Sequence, residues 1–191
     1  MNNKRTLYIL FSKTPYQDKV KTRLAKVIGE EQATKVFVNS LSLTLTQLPS
    51  FDDQYRFLQI SLYSSDQIKY WNQFSTFIQP DSPDLGFRIG QTILANKRNY
   101  DQIIILGGDC PLITTDIYLE AEEALNENDM VWGPAKDGGF YLCGFLTKIG
   151  EDLFHNIEYS SSQTLLQLLE KVKQRNISYD LLTTCSDLDT Y

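Results

Sequence analysis

The sequence offers few residues for disulfides, zinc sites or histidine catalysis. Its three cysteines, Cys110, Cys143 and Cys185, are far apart and form no C-x-x-C pair. An odd number of separated cysteines indicates reduced thiols and argues against a zinc site. The one histidine, His155, lies in an irregular stretch without a partner motif, so we expect a structural role for it. No Ser-His-Asp or Cys-His arrangement is recognisable.

The chain also lacks long apolar runs and basic surface stretches. The apolar run Leu7 to Phe11 is too brief for a signal peptide or a membrane span. The net charge of -6, without a basic run interleaved with aromatic residues, argues against nucleic-acid binding. We therefore expect a soluble, cytoplasmic protein. Because no repeat, linker or low-complexity tract occurs, residues 1–191 are predicted to form one domain.

Strand and helix patterns alternate along the chain, which predicts an α/β fold with a mainly parallel sheet covered on both faces. No helix separates the fifth and sixth predicted strands, so we expect an antiparallel element there. Thr114 is a good N-cap for the fifth helix, and the alternating Leu41, Leu43 and Leu45 leave a strand possible within the second. The predicted strands are Leu7–Phe11, Arg56–Tyr63, Thr76–Gln79, Ile103–Leu106, Met130–Trp132, Phe140–Phe145 and Ile177–Thr183. The first predicted helix begins near Lys21. The other predicted helices span Glu30–Leu48, Gln67–Gln73, Leu85–Lys97, 115 to about 126 and Gln163–Arg175.

The most informative stretch is the apolar run Ile103–Leu106, which is followed by Gly107, Gly108 and Asp109. Ligands of open α/β sheets collect just beyond the carboxyl ends of the strands. A lone carboxylate at that point suits a divalent cation that carries phosphates. The alternative is a turn in which the Asp109 side chain only hydrogen-bonds the loop backbone.

The loop after the first strand concentrates positive charge in an otherwise acidic chain. A Lys-x-Arg arrangement with Thr22 between Lys21 and Arg23, at the start of a helix, would suit a diphosphate or triphosphate. It is not a P-loop, because the G-x-x-x-x-G-K-[ST] pattern is missing. The alternative is a solvated basic helix face. The cations are Lys13, Lys19, Lys21, Arg23 and Lys26, and Asp18 is the only acid among them.

Three further segments carry candidate site residues. Asp137, followed by Gly138 and Gly139, would act as general base on an acceptor hydroxyl or bind a sugar hydroxyl, although D-G is also a common turn former. The loop from Gln79 through Asp84 to Gly86 offers polar groups for a nucleobase, or is a plain loop. Asp187 and Asp189 follow the last predicted strand and would reach the same sheet edge, or form an acidic surface turn.

Taken in order, these segments resemble a bacterial family of GT-A-like glycosyltransferases, a relative of 2-phospholactate guanylyltransferase. The resemblance spans nearly the whole chain, and the combination of motifs is specific although no single motif is. Departures from the family pattern occur at Asp18, Pro83 and Phe87. The matching motifs are Lys13-Thr14-Pro15, Val20-Lys21-Thr22-Arg23-Leu24, Asp84-Leu85-Gly86-Phe87-Arg88, Gly107-Gly108-Asp109-Cys110-Pro111-Leu112, residues 133–144 and Asp187-Leu188-Asp189-Thr190.

The resemblance implies the nucleotide-diphospho-sugar transferase fold, a three-layer α/β/α sandwich with a mixed sheet. It also implies a Mg²⁺- or Mn²⁺-assisted reaction on a nucleotide, with Asp109 as the metal carboxylate. Our first hypothesis is a metal-dependent glycosyltransferase that uses a nucleotide-diphosphate sugar and a small-molecule acceptor. The alternatives are a nucleotidyltransferase that couples a nucleoside triphosphate to a phosphorylated small molecule, and a catalytically inactive nucleotide-binding domain.

The first hypothesis gives each candidate residue a role. Phosphates would be held by Lys13, Lys21, Thr22 and Arg23, of which Lys21 and Arg23 also act in catalysis. Gly108 would also contact the nucleotide. The base would lie against Gln79, Asp84 and Gly86, and the cation would be bound by Asp109 with Asp187 or Asp189. Asp137 would position or deprotonate the acceptor, and Gly138 and Gly139 would let the backbone approach the ligand.

Overall fold

A computed structural model of the chain describes residues 4–52, 54–63, 65–108 and 110–185. Within these ranges, seven strands form one mixed sheet that has helices on both faces. The strands are β1 Thr6–Phe11, β2 Arg56–Leu62, β3 Ser75–Ile78, β4 Gln102–Gly107, β5 Met130–Pro134, β6 Phe140–Leu146 and β7 Tyr179–Leu181. The helices are α1 Thr22–Ile28, α2 Glu30–Gln47, α3 Leu85–Asn96, α4 Thr115–Glu127 and α5 Thr164–Gln174, with short 3-10 helices at Ser65–Lys69 and Glu151–Phe154.

The strand order is β3-β2-β1-β4-β6-β5-β7. β6 runs antiparallel to β4 and β5, and the other pairs of neighbouring strands are parallel. This arrangement confirms the mainly parallel mixed sheet and the antiparallel element. β1 and β4 are neighbours at the centre, with Phe11 opposite Gly107, so the loops after both strands leave from the same edge.

The central strands are buried on both faces, as their continuous apolar runs predicted. In β1, Tyr8 and Leu10 pack beneath α2 and α4, whereas Leu7 and Ile9 pack against α3 and α5. All four of these side chains are no more than 1% exposed. Burying one such apolar side chain contributes about 1.5–3 kcal/mol, so the two cores fix the sheet between its helical layers.

The structure confirms the helix predicted over Glu30–Leu48 and differs from the prediction for the following one. The segment that contains Leu41, Leu43 and Leu45 is helical, because Ala33, Phe37 and Leu41 recur at helical spacing and are buried against the sheet. The helix predicted over Gln67–Gln73 is instead a 3-10 helix over Ser65–Lys69.

The predictions for Thr114 and for the last strand were also partly wrong. Thr114 occupies the N-cap position of α4, but its side chain makes no capping hydrogen bond. The last strand is shorter than the predicted Ile177–Thr183, because β7 is an edge strand that pairs only with three residues of β5. No helix in the described part of the chain is long and apolar enough to cross a membrane.

A buried polar network ties α4 to the starts of β1 and β2, at the sheet edge opposite the loops discussed below. The Glu122 carboxylate accepts the Tyr8 hydroxyl at 2.8 Å and two guanidinium N–H groups of Arg56 at 2.8 and 2.7 Å. Burial, together with the negative charge of Glu122, raises the pKa of Tyr8 well above its ordinary value, so Tyr8 stays a neutral donor.

Replacing Glu122 with glutamine is expected to lower the free energy of unfolding by about 2–3 kcal/mol. Removing one partner of a buried ion pair costs about 3–5 kcal/mol, and the 31% exposure of the Arg56 side chain reduces this cost. Urea unfolding measures the change. The neighbouring Glu123→Gln, on the exposed side of α4, is the control and should change stability little. Equal losses in both variants would contradict a role for the network.

Candidate functional site

Two adjoining cavities open at the sheet edge where β1 and β4 end. The first has a volume of about 410 Å³ and the second of about 250 Å³. Phe11, Gly107 and Ser160 line both, so the cavities are contiguous. We call the first the cationic cavity, which is lined also by Ser12, Lys13, Val20, Lys21, Thr22, Arg23, Phe37, Tyr63 and Gly108. We call the second the apolar cavity, lined also by Leu85, Ile89, Ile105, Leu106, Asp137, Gly139, Phe140, Tyr141, Tyr159, Ser161 and Thr164.

The cationic cavity collects positive charge from the loop after β1. The described residues that line it include Lys13, Lys21 and Arg23 but no acid. Lys21 is only 9% exposed and has a left-handed backbone with φ 43°, a conformation that non-glycine residues rarely adopt. Gly108, from the turn after β4, lies in the same wall. The structure thus brings the first loop and the β4 turn to one cavity.

The basic cluster is nevertheless divided. Lys19 and Lys26 lie in the wall of a third cavity, of about 570 Å³, which shares two lining residues with the cationic cavity and is also lined by the acids Asp18, Glu30 and Glu31. Positive charge is therefore concentrated in the cationic cavity, whereas the third cavity has mixed charge. The sequence alone placed all five cations together.

The carboxylate of Asp18 is used inside the first loop. It accepts the backbone N–H of Thr14 at 2.6 Å and the side-chain amide of Gln67 at 2.9 Å. The fully buried Thr14 also accepts the indole N–H of Trp71 through its hydroxyl. Asp18 therefore organises the loop, and it is not among the residues that line the cationic cavity.

Two further contacts shape the cationic cavity. The Lys13 ammonium group donates to the backbone oxygen of Lys19 at 2.6 Å, which closes the first loop. At Gly108, a Cβ atom would lie 2.5 Å from the hydroxyl oxygen of Ser12, so the turn after β4 can approach β1 only with a glycine there.

Most of the polar side chains in the walls of the apolar cavity are already hydrogen-bonded within the protein. The hydroxyl groups of Tyr159 and Tyr141 donate to the backbone oxygens of Phe154 and Thr183, both at 2.9 Å. Burial raises the pKa of both tyrosines, so they remain neutral. The Thr164 hydroxyl is likewise bonded to backbone oxygens. Among the described lining residues, Asp137 alone carries a charge.

Asp137 is presented by a tight turn between β5 and β6. Its Oδ1 accepts the backbone N–H of Gly139 at 2.9 Å, and the side chain is exposed. Gly138 has φ 89°, and a Cβ atom there would lie 2.1 Å from the backbone oxygen of Ser162. The Gly138 carbonyl also accepts the backbone N–H of Leu165. The turn is therefore held against the start of α5.

The predicted base-binding residues Gln79, Asp84 and Gly86 do not line either cavity. Gln79 is buried, and its amide is bonded to the backbone oxygen of Ser61 and to Arg88. The Asp84 side chain caps α3 by accepting the backbone N–H of Phe87. At Gly86, a Cβ atom would lie 2.0 Å from the backbone oxygen of Phe154, so this glycine is required for helix packing.

The structure adds site residues that the sequence did not single out. Ser12 and Tyr63 line the cationic cavity, Tyr159 lines the apolar cavity and Ser160 lines both. Ser160 has a left-handed backbone with φ 62°. None of these four residues lies in a recognisable sequence motif. Only the run of three serines that begins at Ser160 marks its segment as irregular. The Arg88 guanidinium stacks over the Tyr63 ring at 5.0 Å and adds positive charge behind the cationic cavity.

The predicted metal ligands Asp109, Asp187 and Asp189 all lie outside the described residues. Among the described residues, no group of three or more His, Cys, Asp or Glu side chains is placed to hold a metal ion. The described residues next to these positions are close to the site, since Gly108 lines the cationic cavity and Cys185 pairs with Ala135 at the base of the Asp137 turn.

Comparison with known proteins supports this fold. A family model described as "Uncharacterized protein conserved in bacteria (DUF2064)" matches residues 53–161. A crystal structure of a "putative nucleotide-diphospho-sugar transferase" from Desulfovibrio desulfuricans G20 superimposes with a TM-score of 0.87 at 26% identity. The match covers 97% of this chain and 82% of that chain. No curated protein matches the sequence.

More distant structures share the fold. A cytidylyltransferase from Leptospira borgpetersenii has a TM-score of 0.62 at 13% identity, with coverage of 98% of this chain and 82% of that one. A manganese complex of Rv0371C from Mycobacterium tuberculosis H37Rv has a TM-score of 0.58 at 11% identity, with coverage of 97% and 92%. The nucleotide-diphospho-sugar transferase fold predicted from the motifs is therefore confirmed.

Proposed function

The chain belongs to the DUF2064 family, and we propose that it transfers a sugar from a nucleotide-diphosphate sugar to a small-molecule acceptor. One observation carries the proposal: a cavity lined by Lys13, Lys21 and Arg23 is contiguous with a second cavity that contains Asp137. The first suits a diphosphate, and the second suits the molecule that receives the sugar. Both lie at the carboxyl ends of parallel strands, where ligands of open α/β sheets bind.

The cations stabilise the leaving group. A nucleoside diphosphate gains negative charge as it departs, and fixed positive groups lower the energy of that state most where water is partly excluded. Lys21 is buried, which makes its charge less screened than that of an exposed lysine. The Arg23 guanidinium can hold two phosphate oxygens at once.

The reaction proceeds by attack of an acceptor hydroxyl oxygen on the anomeric carbon of the sugar. The new carbon–oxygen bond forms as the bond from that carbon to the β-phosphate oxygen breaks, and the nucleoside diphosphate leaves with the electron pair. The hydroxyl proton passes to the carboxylate of Asp137, which acts as general base. Ser160 lies where the two cavities meet and would contact the sugar between them.

A divalent cation, Mg²⁺ or Mn²⁺, remains part of the proposal through Asp109, with Asp187 or Asp189. The described residues alone do not supply a ligand set for it. The manganese complex with the same fold supports testing this ion first. When bound, such a cation neutralises charge on the diphosphate.

The three departures from the family motifs do not line either of the two cavities. Asp18 is bonded within the first loop, and Pro83 and Phe87 flank the start of α3. This placement favours an active transferase over an inactive nucleotide-binding domain. Nucleotide binding without turnover would instead favour the inactive domain.

We expect Arg23→Gln to weaken binding of nucleoside diphosphates by about 10- to 100-fold. A hydrogen bond to a charged group contributes about 1.5–3 kcal/mol, and 1.4 kcal/mol corresponds to tenfold. Isothermal titration with a panel of nucleoside diphosphates, with and without Mn²⁺, measures the affinity. Thermal shifts with nucleotide sugars and nucleoside triphosphates extend the panel, because a bound ligand raises the melting temperature.

Lys26→Gln is the matched control, because Lys26 lies in the same helix but lines the third cavity. We expect it to reduce affinity by no more than about threefold, since salt screens an exposed charge that does not touch the ligand. Equal losses of affinity in both variants, or no loss in Arg23→Gln, would show that the phosphates do not bind in the cationic cavity. Release of pyrophosphate from a nucleoside triphosphate during turnover would identify a nucleotidyltransferase instead.

A further inference from the structure

The apolar cavity narrows the chemical class of the acceptor. Resting on the proposed function, we propose that the acceptor is an uncharged hydroxyl compound with a compact apolar face, and that phosphorylated or carboxylated compounds are excluded. The volume of about 250 Å³ is small beside the roughly 300–1,000 Å³ typical of ligand pockets, so the group that enters is compact.

The walls of the cavity provide the apolar contact. Ile89 and Ile105 are 3% and 4% exposed and come from α3 and β4, so this wall is part of the rigid core. Phe11, Phe140 and Tyr159 add aromatic surface around it. Such a surface is stabilised by covering it with an apolar group and gains nothing from an ionic one.

The carboxylate of Asp137 gives the cavity an acceptor for a hydrogen-bond donor. The hydroxyls of Tyr141, Tyr159 and Thr164 are already bonded to backbone oxygens. Asp137 accepts the Gly139 N–H through Oδ1, and no described residue donates to its other oxygen. An alcohol can donate its O–H to this carboxylate, whereas a second anion would be repelled by it.

Charge therefore differs sharply between the two cavities. The cationic cavity attracts the phosphates of the donor, and the apolar cavity has one negative charge and no described cation. A phosphorylated acceptor would be drawn to the wrong cavity. This contrast in charge favours sugar transfer to a neutral alcohol over nucleotidyl transfer to a phosphorylated acceptor.

Benzyl alcohol and benzyl phosphate test the proposal, because they share one ring and differ in charge. The protein is labelled at its isoleucine methyl groups, and Ile89→Val and Ile105→Val assign the two wall signals. We expect benzyl alcohol to shift both signals with a dissociation constant on the order of 1 mM. Benzyl phosphate should shift them at least about tenfold more weakly. Equal or stronger shifts with the phosphate, or none with the alcohol, would overturn the proposal.

Two variants at Leu85, the first residue of α3 and part of the cavity wall, locate the binding. Leu85→Glu places a carboxylate in the wall at a position where helices tolerate acidic residues, and should abolish the shifts with benzyl alcohol. Leu85→Met keeps an apolar wall and should retain them. Unchanged binding in a folded Leu85→Glu variant would also overturn the proposal.

Asp137→Asn tests the charge directly and should raise the relative affinity for benzyl phosphate by about tenfold. Unchanged selectivity would contradict the role of the carboxylate. The nucleotide titrations are read separately. If the unaltered protein binds no nucleotide, or if Arg23→Gln binds it as tightly as the unaltered protein does, the proposed function is removed while the alcohol measurement stays interpretable.

Discussion

Replacing Asp137 with asparagine is expected to slow sugar transfer by roughly 100- to 10,000-fold, the range typical of a lost general base. The amide cannot take the hydroxyl proton, but its oxygen can still accept the Gly139 N–H, so the turn should keep its geometry. Affinity for the nucleotide should be nearly unchanged, because Asp137 does not line the cationic cavity. Single-turnover release of nucleoside diphosphate from a nucleotide sugar, with benzyl alcohol as acceptor, measures the rate.

Glu170→Gln, an exposed change on α5, is the control for the loss of one negative charge and should leave the rate unaltered. A normal rate of sugar transfer in Asp137→Asn would show that Asp137 does not take the hydroxyl proton. A parallel fall in rate and nucleotide affinity would show that the substitution had disturbed the site as a whole.

Replacing Gly138 with alanine should destabilise the protein by about 2–6 kcal/mol and distort the turn that presents Asp137. A side chain at positive φ costs about 1–3 kcal/mol, and Gly138 has φ 89°. The new Cβ would also lie 2.1 Å from the backbone oxygen of Ser162, and overpacking of this kind adds about 1–3 kcal/mol. The backbone of Ser162 cannot move away from the new Cβ atom as easily as a flexible side chain could. Urea unfolding gives the change in free energy.

Gly29→Ala separates the two costs, because Gly29 has φ 85° but no heavy atom within 4 Å of the position of a Cβ. We expect this variant to lose only the backbone part, about 1–3 kcal/mol. If the two variants are equally destabilised, the contact with Ser162 does not constrain the turn. In that case, the Asp137 turn would be free to move relative to α5.

Sequence reasoning predicted the elements well where a single physical signal dominated. The apolar run at Ile103–Leu106 predicted a strand buried on both faces, and the missing helix between β5 and β6 predicted the antiparallel strand. The predictions were weaker for the 3-10 helix at Ser65–Lys69 and for β7. These segments are short, so their conformation depends on neighbours rather than on their own periodicity.

Glycine and amide motifs were informative about position but not about role. The position of Gly86 and Gln79 in a polar loop after a strand predicts contact with a nucleobase. In the structure, Gly86 lies against the backbone of Phe154, and Gln79 is bonded to Ser61 and Arg88. A glycine that permits close packing and one that admits a ligand look alike in a sequence, since both only lack a side chain.

The sequence by itself determined the order of the strands and helices, and it placed Arg23 at the start of a helix and Gly108 and Asp137 in loops next to strands. These features depend on local periodicity, charge and turn-forming residues. Only the tertiary structure decided that Lys19 and Lys26 line a different cavity from the other cations, and that Ser160 lines two cavities. The shape of a cavity depends on residues that are distant along the chain and come together only when the sheet and its helices pack.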